Sequence, residues 1–341
     1  MATGSGLDAQ LGFAAESTVG TGVTVTKFVE FDKEGLQFDA GFLEPTGLRV
    51  GRKFKRASRV VQSRKSVSGD IELQVASRGM GLLWKHALGS TATPTVISGT
   101  AFRQVHTPVG MQGLGLTIQV GRPEPASGTV RPFTFRGCKI SDWEFSLSDG
   151  EVAKLKLSVD GWDETLATAL ATSSYTSANL YSFSQAVLKL GGTASTTTGL
   201  MSVASGVQVA TVIKDFSVKY STPMATERYG VGNAGVKSEQ LENDFPGITG
   251  KFGAEFSKVE LYDVFKANTT LAMEFVMTGA AIGASGSNDT LSIICPAIKI
   301  KSATPTVDGP DIVSMDVEWE AYDDETNAPI QVMVISADST L

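Results

Sequence analysis

The chain has 341 residues, of which 42% are hydrophobic and 19% are charged. This composition excludes an intrinsically disordered protein and leaves enough length for two cores. The formal net charge of -7 disfavours general affinity for nucleic acid, because phosphate binding requires clustered positive charge.

Alternation of apolar and polar residues is the dominant pattern along the chain, and it predicts β-strands. In chain order the predicted strands are 26–31, 69–76, 115–121, 133–140, 143–147, 155–159, 181–190, 208–220, 251–257, 271–278, 290–300, 313–319 and 329–336. Asp149-Gly150 and Asp308-Gly309 predict tight turns between neighbouring strands. Two segments, 79–88 and 258–268, carry apolar residues at helical spacing instead, and each predicts one amphipathic helix.

An internal repeat links these elements. VSGDIELQV at 67–75 precedes the first predicted helix, and ITGKFGAEF at 248–256 precedes the second. Each helix is followed by one strand, then by two strands around an Asp-Gly turn, then by an acidic segment that ends in Thr. Because five elements recur in the same order, we interpret the chain as an internal duplication.

The repeat predicts two domains, 1–170 and 171–341, with a boundary in the small and polar segment 166–182. A further polar stretch, 191–206, is expected to be an exposed loop.

Charges of opposite sign lie in separate blocks. One block is basic and uninterrupted, and it includes Arg49, Arg52, Lys53, Lys55, Arg56 and Arg59. The other block is acidic, and it includes Asp308, Asp311, Asp316, Glu318 and Glu320. Segregated charges on one subunit suit a head-to-tail contact between copies of that subunit, although two unrelated solvated faces would have the same pattern.

Several segments resemble the major tail tube proteins of long-tailed, siphovirus-like bacteriophages. The opening GLDAQLGFAAESTVGTGVTVTKFVEF (6–31) is similar to the N-terminus of that family, and GLRVGRKFKRASR (47–59) to the basic long loop that follows it. Residues 132–150 and 304–334 also resemble the family, so the resemblance covers nearly the whole chain. It rests on structural motifs and on no chemical signature.

The resemblance implies a mainly β fold of two tandem β-sandwich domains, each with one flanking helix. It further implies a structural virion protein whose copies form stacked rings. Each half would carry one long loop, at 44–66 in the first half and at 221–247 in the second, and the basic residues 49–59 would form the ring-stacking contact. The acidic block would be the loop's partner or would line the lumen. Genome DNA would pass through that lumen without specific binding, beside a tape measure protein, and tail terminator or tip proteins would be further partners.

The stoichiometry of the ring follows from the repeat. Two similar halves in one chain allow three chains to form a ring with pseudo-sixfold symmetry. The two long loops differ in charge, since 221–247 contains several acids, and this favours a trimer over a strict hexamer. A hexamer remains the alternative.

The sequence has few residues and motifs that could support catalysis. The two histidines are His86, expected on the flank of the first helix, and His106, expected in a loop, and neither has metal-ligand spacing. No cofactor motif occurs, and Cys138 and Cys295 are expected to be buried thiols. Carboxylates at Asp163-Glu164 and at 323–325 are a weak cation candidate. We therefore expect no enzyme, no cofactor and no metal.

No apolar run reaches the ~18–20 residues that span a bilayer, and the N-terminus lacks secretory features, so we expect assembly in the host cytoplasm and a place in the phage tail. One alternative is a baseplate or tail-tip hub protein of similar fold. Another is a carbohydrate-binding β-sandwich adhesin, which would present exposed aromatic residues on loops, whereas the four tryptophans fall mainly in predicted helix and strands.

Overall fold

A computed structural model of the chain describes residues 5–89, 93–209, 211–307 and 309–341. In the first half the strands are β1 Gln10–Glu16, β2 Lys27–Val29, β3 Lys33–Glu34, β4 Gln37–Asp39, β5 Phe42–Leu43, β6 Val61–Gln62, β7 Ser66–Gln74, β8 Thr95–Ser98, β9 Ala101–His106, β10 Gly115–Glu124, β11 Thr129–Ser148, β12 Lys154–Gly161 and β13 Asp163–Thr165. The helix α1 is Gly81–Leu88.

The second half follows the same scheme. Its strands are β14 Ala186–Leu190, β15 Thr193–Thr197, β16 Leu200–Ala204, β17 Val207–Gln208, β18 Ile213–Ser221, β19 Met224–Ala225, β20 Leu241–Glu242, β21 Gly247–Glu255, β22 Thr270–Ala281, β23 Asn288–Ser302, β24 Ser314–Ala321 and β25 Gln331–Ser336. The helix α2 is Glu260–Ala267. The fold is therefore mainly β with two short helices, as predicted.

Each half has two layers, joined by one long strand that takes part in both. In the first half, one layer, here called the outer layer, consists of β2, β1, β10, β13 and the first part of β11. The other layer, here called the inner layer, consists of the last part of β11 followed by β12, β7 and the pair β3 and β4, each hydrogen-bonded to the one before it. Apolar residues of both layers face each other in the core, as the alternation predicts.

The second half repeats this order of pairing. Strands β14, β22, the start of β23 and β25 form its outer layer, and the end of β23, β24, β21 and β18 form its inner layer. The registers shift at corresponding places, between Ile140 and Asp142 in β11 and between Ile300 and Ser302 in β23. Descent of both halves from one duplicated module stays a prediction.

The two halves differ where they are covered. The hairpin β8–β9 of the first half pairs with β25 and extends the outer layer of the second half. Helix α1 is almost entirely buried, whereas no residue of α2 is buried and only its apolar side packs on the core. Each helix ends at a left-handed residue, Gly89 and Asn268 respectively.

Several sequence expectations need correction. Segment 191–206 is mostly exposed, as expected, but it is not a loop: β15 and β16 form a hairpin there, and Met201 within it is buried. His86 is buried within α1 and is not a flank residue, and His106 ends strand β9 in the core and does not lie in a loop. The predicted Asp308-Gly309 turn lies partly outside the described residues, since Asp308 is not described.

Candidate assembly surfaces

The joint between the halves is a continuous pairing of their inner layers. The end of β11 pairs antiparallel with β18, from Asp142 opposite Ser221 to Ser148 opposite Asp215. Trp143 stacks on Tyr220 at a centroid distance of 5.9 Å, and Trp84 of α1 meets the Trp143 ring edge-on at 5.4 Å. Backbone pairing and aromatic packing together make this a firm joint.

Two segments at the edges of the inner layer occupy the same places in their halves as the two strands of this joint. Among the described residues, neither segment has a strand partner on its free edge. One is the edge strand formed by β3 and β4, which keeps a single register against β7 from Lys33 to Asp39. The other is 303–307, which continues β23 as β11 continues past Ile140. Only Thr306 of that segment makes a bridge, to Ser314. An open edge is a ready template for another strand.

The solvent-facing side of the inner layer carries interspersed charges. Glu144 lies opposite Lys219, and Lys251 lies opposite Glu318. The predicted residues Asp316 and Glu318 are exposed on this face, and Glu320 is half-buried beside them. The face is therefore polar and mixed, with acids in excess on β24.

Glu320 belongs to a small cluster. It accepts a short hydrogen bond of 2.5 Å from the Tyr322 hydroxyl and lies 3.1 Å from Lys301 Nζ. The Tyr322 hydrogen bond is the main cause that lowers the pKa of Glu320, and Lys301 lowers it further. The side chain is therefore charged and already partnered at neutral pH.

The basic loop projects from the molecule between β5 and β6. Arg49, Arg52, Lys53 and Lys55 are exposed, Arg59 is exposed on a short turn at 57–59, and Arg56 is half-buried. Leu48, Val50 and Phe54 are 102%, 98% and 89% exposed. Lys55 pairs with Glu44 at 2.6 Å. Basic and apolar side chains together mark a surface that another protein can cover.

The second long loop, 226–240, has an exposed tip, where Val231 is 110% exposed, but its end is docked on the first half. Lys237 is 1% exposed and its Nζ lies 2.6 Å from Asp160 Oδ1 in the first half. Gln240 donates to Asp160 and to the Gly137 carbonyl, and accepts from Trp162 Nε1 at 2.8 Å. The loop is thereby held across the joint between the halves.

Lys139 completes this docking site. Its buried Nζ donates to Glu239 at 2.7 Å and to the carbonyls of Met111 and Gln240. Burial lowers the pKa of Lys139, and Glu239 opposes that shift. Sequence reasoning missed Lys139, Lys237 and Asp160, because Glu239 is 100 residues from Lys139 and Asp160 is 77 residues from Lys237. No local pattern in the sequence marks these three residues.

The structure does not bring the basic and acidic blocks together. Across the described ranges, no ion pair joins the basic loop to Asp311, Asp316, Glu318 or Glu320. Asp311 lies exposed in the turn before β24, and Asp308 lies outside the described residues. A contact between the two blocks would therefore have to join different copies.

Chemical sites are not evident. In the described parts of the chain, no group of three or more His, Cys, Asp or Glu side chains is placed to hold a metal ion. Burial holds the pKa of His86 and of His106 at about 4, and burial raises the pKa of the Cys138 and Cys295 thiols, so these groups are uncharged at neutral pH. No described helix has the length and apolar character to cross a membrane.

Comparison with known proteins identifies one family. A family model described as phage tail tube protein matches residues 6–321. No curated protein matches the chain.

Proposed function

Because the chain belongs to the phage tail tube protein family, we propose that three copies close into a ring by pairing their inner layers and that such rings stack into the tube. The chain is a structural subunit of the tail tube and a component of the virion tail, and it self-assembles. The role of the family is structural and not enzymatic. The number of copies, the pairing of edges and the stacking contacts are the proposed part.

The observation that carries the proposal is the β11–β18 joint. Two halves with the same order of strand pairing already share one inner layer within a single chain. Each chain then has one open edge at Lys33–Asp39 and one unpaired continuation at 303–307. If copies join head to tail as the halves do, a closed ring removes every open inner edge.

Two modules per chain, 1–170 and 171–341, make three chains sufficient for six similar positions. The two long loops are unequal, since one is docked on Asp160 and the other is free. Unequal loops fit a ring of three chains better than a ring of six identical positions.

Stacking is proposed to use the exposed loop. The basic side chains from Arg49 to Arg59, with Leu48, Val50 and Phe54 among them, would contact the acidic surface of Asp311, Asp316, Glu318 and Glu320 on another copy. Complementary charges direct such a contact, and the apolar side chains would contribute most of its affinity.

The lumen is proposed to be lined by the polar face of the inner layer. Its charges are mixed with acids in excess, so it would not grip phosphates, and genome DNA could slide past it. The tape measure protein and the tail terminator or tip proteins are proposed partners, and the host cytoplasm is the proposed place of assembly. A baseplate or tail-tip hub subunit, built from the same ring, is the second candidate.

Negative-stain microscopy with analytical ultracentrifugation tests the proposal. We expect purified protein to form rings and tubes. Val307→Pro should reduce the number of rings and tubes, because proline removes an N–H that the joint between copies requires. Since Val307 is 75% exposed in the lone chain, the substitution should leave the fold of the subunit intact. Val307→Ala is the matched control and should assemble. Monomers of the unaltered chain under every ionic condition would contradict the proposal.

A further inference from the structure

The registers of the two halves can be matched row by row. In the first half, Asp142 faces Ser158, Ser158 faces Asp70, and the Gly35 N–H donates to the Asp70 carbonyl. In the second half, Ser302 faces Glu318, which faces Lys251, which faces Ser217. Ser302 therefore corresponds to Asp142, and Gly35 corresponds to Ser217.

This correspondence fixes which residues would meet when copies join. Within the chain, Asp142 faces Ser221 and Phe145 faces Val218. If two copies pair in the same register, Ser302 of one copy would face Asp39 of the other, and Pro305 would face Leu36. The segment from Ser302 to Val307 would thus lie antiparallel along the edge strand Lys33–Asp39.

Pro305 is the residue that should weaken this pairing, because proline has no N–H to donate to the facing carbonyl. The facing carbonyl is that of Leu36. It already accepts a hydrogen bond of 2.7 Å from Arg122 Nη2. The one donor that the added strand lacks is therefore replaced by a guanidinium of the receiving copy.

The surroundings of Arg122 hold it in place for this role. It forms a bidentate pair with Glu34, at 2.9 and 2.8 Å, and its guanidinium lies 4.5 Å from the centroid of the Phe133 ring. Glu34 also accepts from the Leu36 N–H at 3.2 Å, the N–H that the Pro305 carbonyl would take. Both outward backbone groups of Leu36 are thus occupied in the lone chain, one of them by a weak contact that a strand can replace.

We infer that a second copy of this chain adds segment 302–307 to the Lys33–Asp39 edge with Pro305 opposite Leu36, and that Arg122 satisfies the carbonyl that Pro305 cannot. This rests on the proposed ring closure and adds the register and the residue that sets it. Arg122 acts as a specificity determinant, because a strand slipped by two residues would place an N–H against a carbonyl that is already bonded.

Cysteine pairs test the register. Thr304 and Gln37 would face each other as a non-hydrogen-bonded pair, whose Cβ atoms are ~4.5–5.5 Å apart and suit a disulfide. In Thr304→Cys/Gln37→Cys protein, oxidation of assembled rings should link most chains on a non-reducing gel. Thr304→Cys/Asp39→Cys is the control for a slipped register and should link few. Both native cysteines are buried and contribute little background.

A second experiment tests Arg122. Arg122→Gln should weaken ring association roughly tenfold or more, the effect of losing one charge-assisted hydrogen bond. Pro305→Ala returns an N–H to the strand, so Arg122→Gln should cost clearly less in that background. Thermal unfolding of each lone chain separates this from a loss of fold, and a structural role alone would give the same weakening in both backgrounds.

The outcomes distinguish this inference from the proposed function. If the unaltered chain forms rings but the slipped pair links as well as the Thr304–Gln37 pair, the register is wrong while ring formation stands. Equal weakening by Arg122→Gln with Pro305 and with Ala at that position overturns the role of Arg122. If no association of any kind occurs, the proposed function fails first.

Discussion

Individual buried charges hold the second long loop to the first half. The side chains of Lys237 and Lys139 are buried and contact Asp160, Glu239 and backbone carbonyls. A buried ion pair adds little over an apolar pair of the same shape, but removing one partner leaves the other charge uncompensated. The loop therefore depends on both partners being present.

Lys237→Met should destabilise the fold by about 3 kcal/mol, because Asp160 loses its only short ion pair in the described residues and stays partly buried. Urea unfolding followed by tryptophan fluorescence measures the change. Lys55→Met removes an exposed pair with Glu44 and serves as the matched control. Its expected change is much smaller than that of Lys237→Met, because an exposed ion pair contributes little to stability. Equal effects of the two variants would contradict the assigned importance of the buried site.

The two buried histidines predict an acid-sensitive fold. Burial lowers the pKa of His86 and of His106 from 6.5 to about 4, with Lys85 as a further cause for both and Lys139 for His86. The unfolded chain therefore binds more protons than the folded chain between pH 6.5 and pH 4. The contribution of each histidine to the free energy of unfolding is complete above pH 6.5. It is lost as the pH falls from 6.5 to 4, and the loss is about 3 kcal/mol for each histidine.

Thermal unfolding at pH 7 and at pH 4.5 measures this loss. His86→Gln/His106→Gln protein should be less stable at pH 7 but should lose clearly less stability on acidification. If the double variant loses as much stability as the unaltered chain between these pH values, carboxylates and not histidines control the acid response.

Open strand edges and one exposed loop are the elements that the proposed assembly uses. The inner layer presents one open edge and one unpaired continuation, and the basic loop presents exposed apolar and cationic side chains. The counterpart of the aromatic stretch at 143–147 is Ala303, Pro305 and Val307, which are smaller than Trp143, Phe145 and Leu147. A joint between copies would therefore bury less apolar area than the joint within the chain and would be weaker for each strand pair.

Charge reversal tests the loop as an element. Arg52→Glu/Lys53→Glu/Lys55→Glu/Arg56→Glu protein should form fewer and shorter tubes, because the proposed acidic partner surface would repel the altered loop. The effect should shrink at high salt to the extent that the repulsion is ionic. Electron microscopy of tube length is the measurement. Lys258→Glu/Lys266→Glu, at α2, is a control that should leave tube length unchanged.

The chain as a whole is a pair of similar halves that differ in their coverage and loops and are therefore not equivalent. The hairpin β8–β9 covers the outer layer of the second half, α1 is buried while α2 is not, and one long loop is docked while the other is free. Such asymmetry within a repeated scheme is expected if three chains supply six positions of two kinds.

A ring should therefore contain three chains. Native mass spectrometry of rings released from tubes at low ionic strength should give three times the subunit mass of 35.9 kDa. Class averages in projection should show threefold symmetry with six similar lobes. Six chains per ring would contradict the proposed stoichiometry and favour the hexamer.

The β class, both helices and most strands were predictable from the sequence, because alternation and helical spacing are local properties of the chain. The family was also recognisable from quoted segments of the sequence. The sequence also located the basic loop, whose charges are contiguous. It could not place His86 and His106 in the core or find the Lys237–Asp160 site, since those environments are made by residues far apart in the chain.

Which edges are paired and which are open became clear from the folded chain alone. The fusion of the inner layers through β11 and β18, and the hydrogen bond from Arg122 to the Leu36 carbonyl, depend on long-range strand register. The register of a strand pair is set by how the sheets pack on one another, and it cannot be predicted from the local strand propensity of the residues.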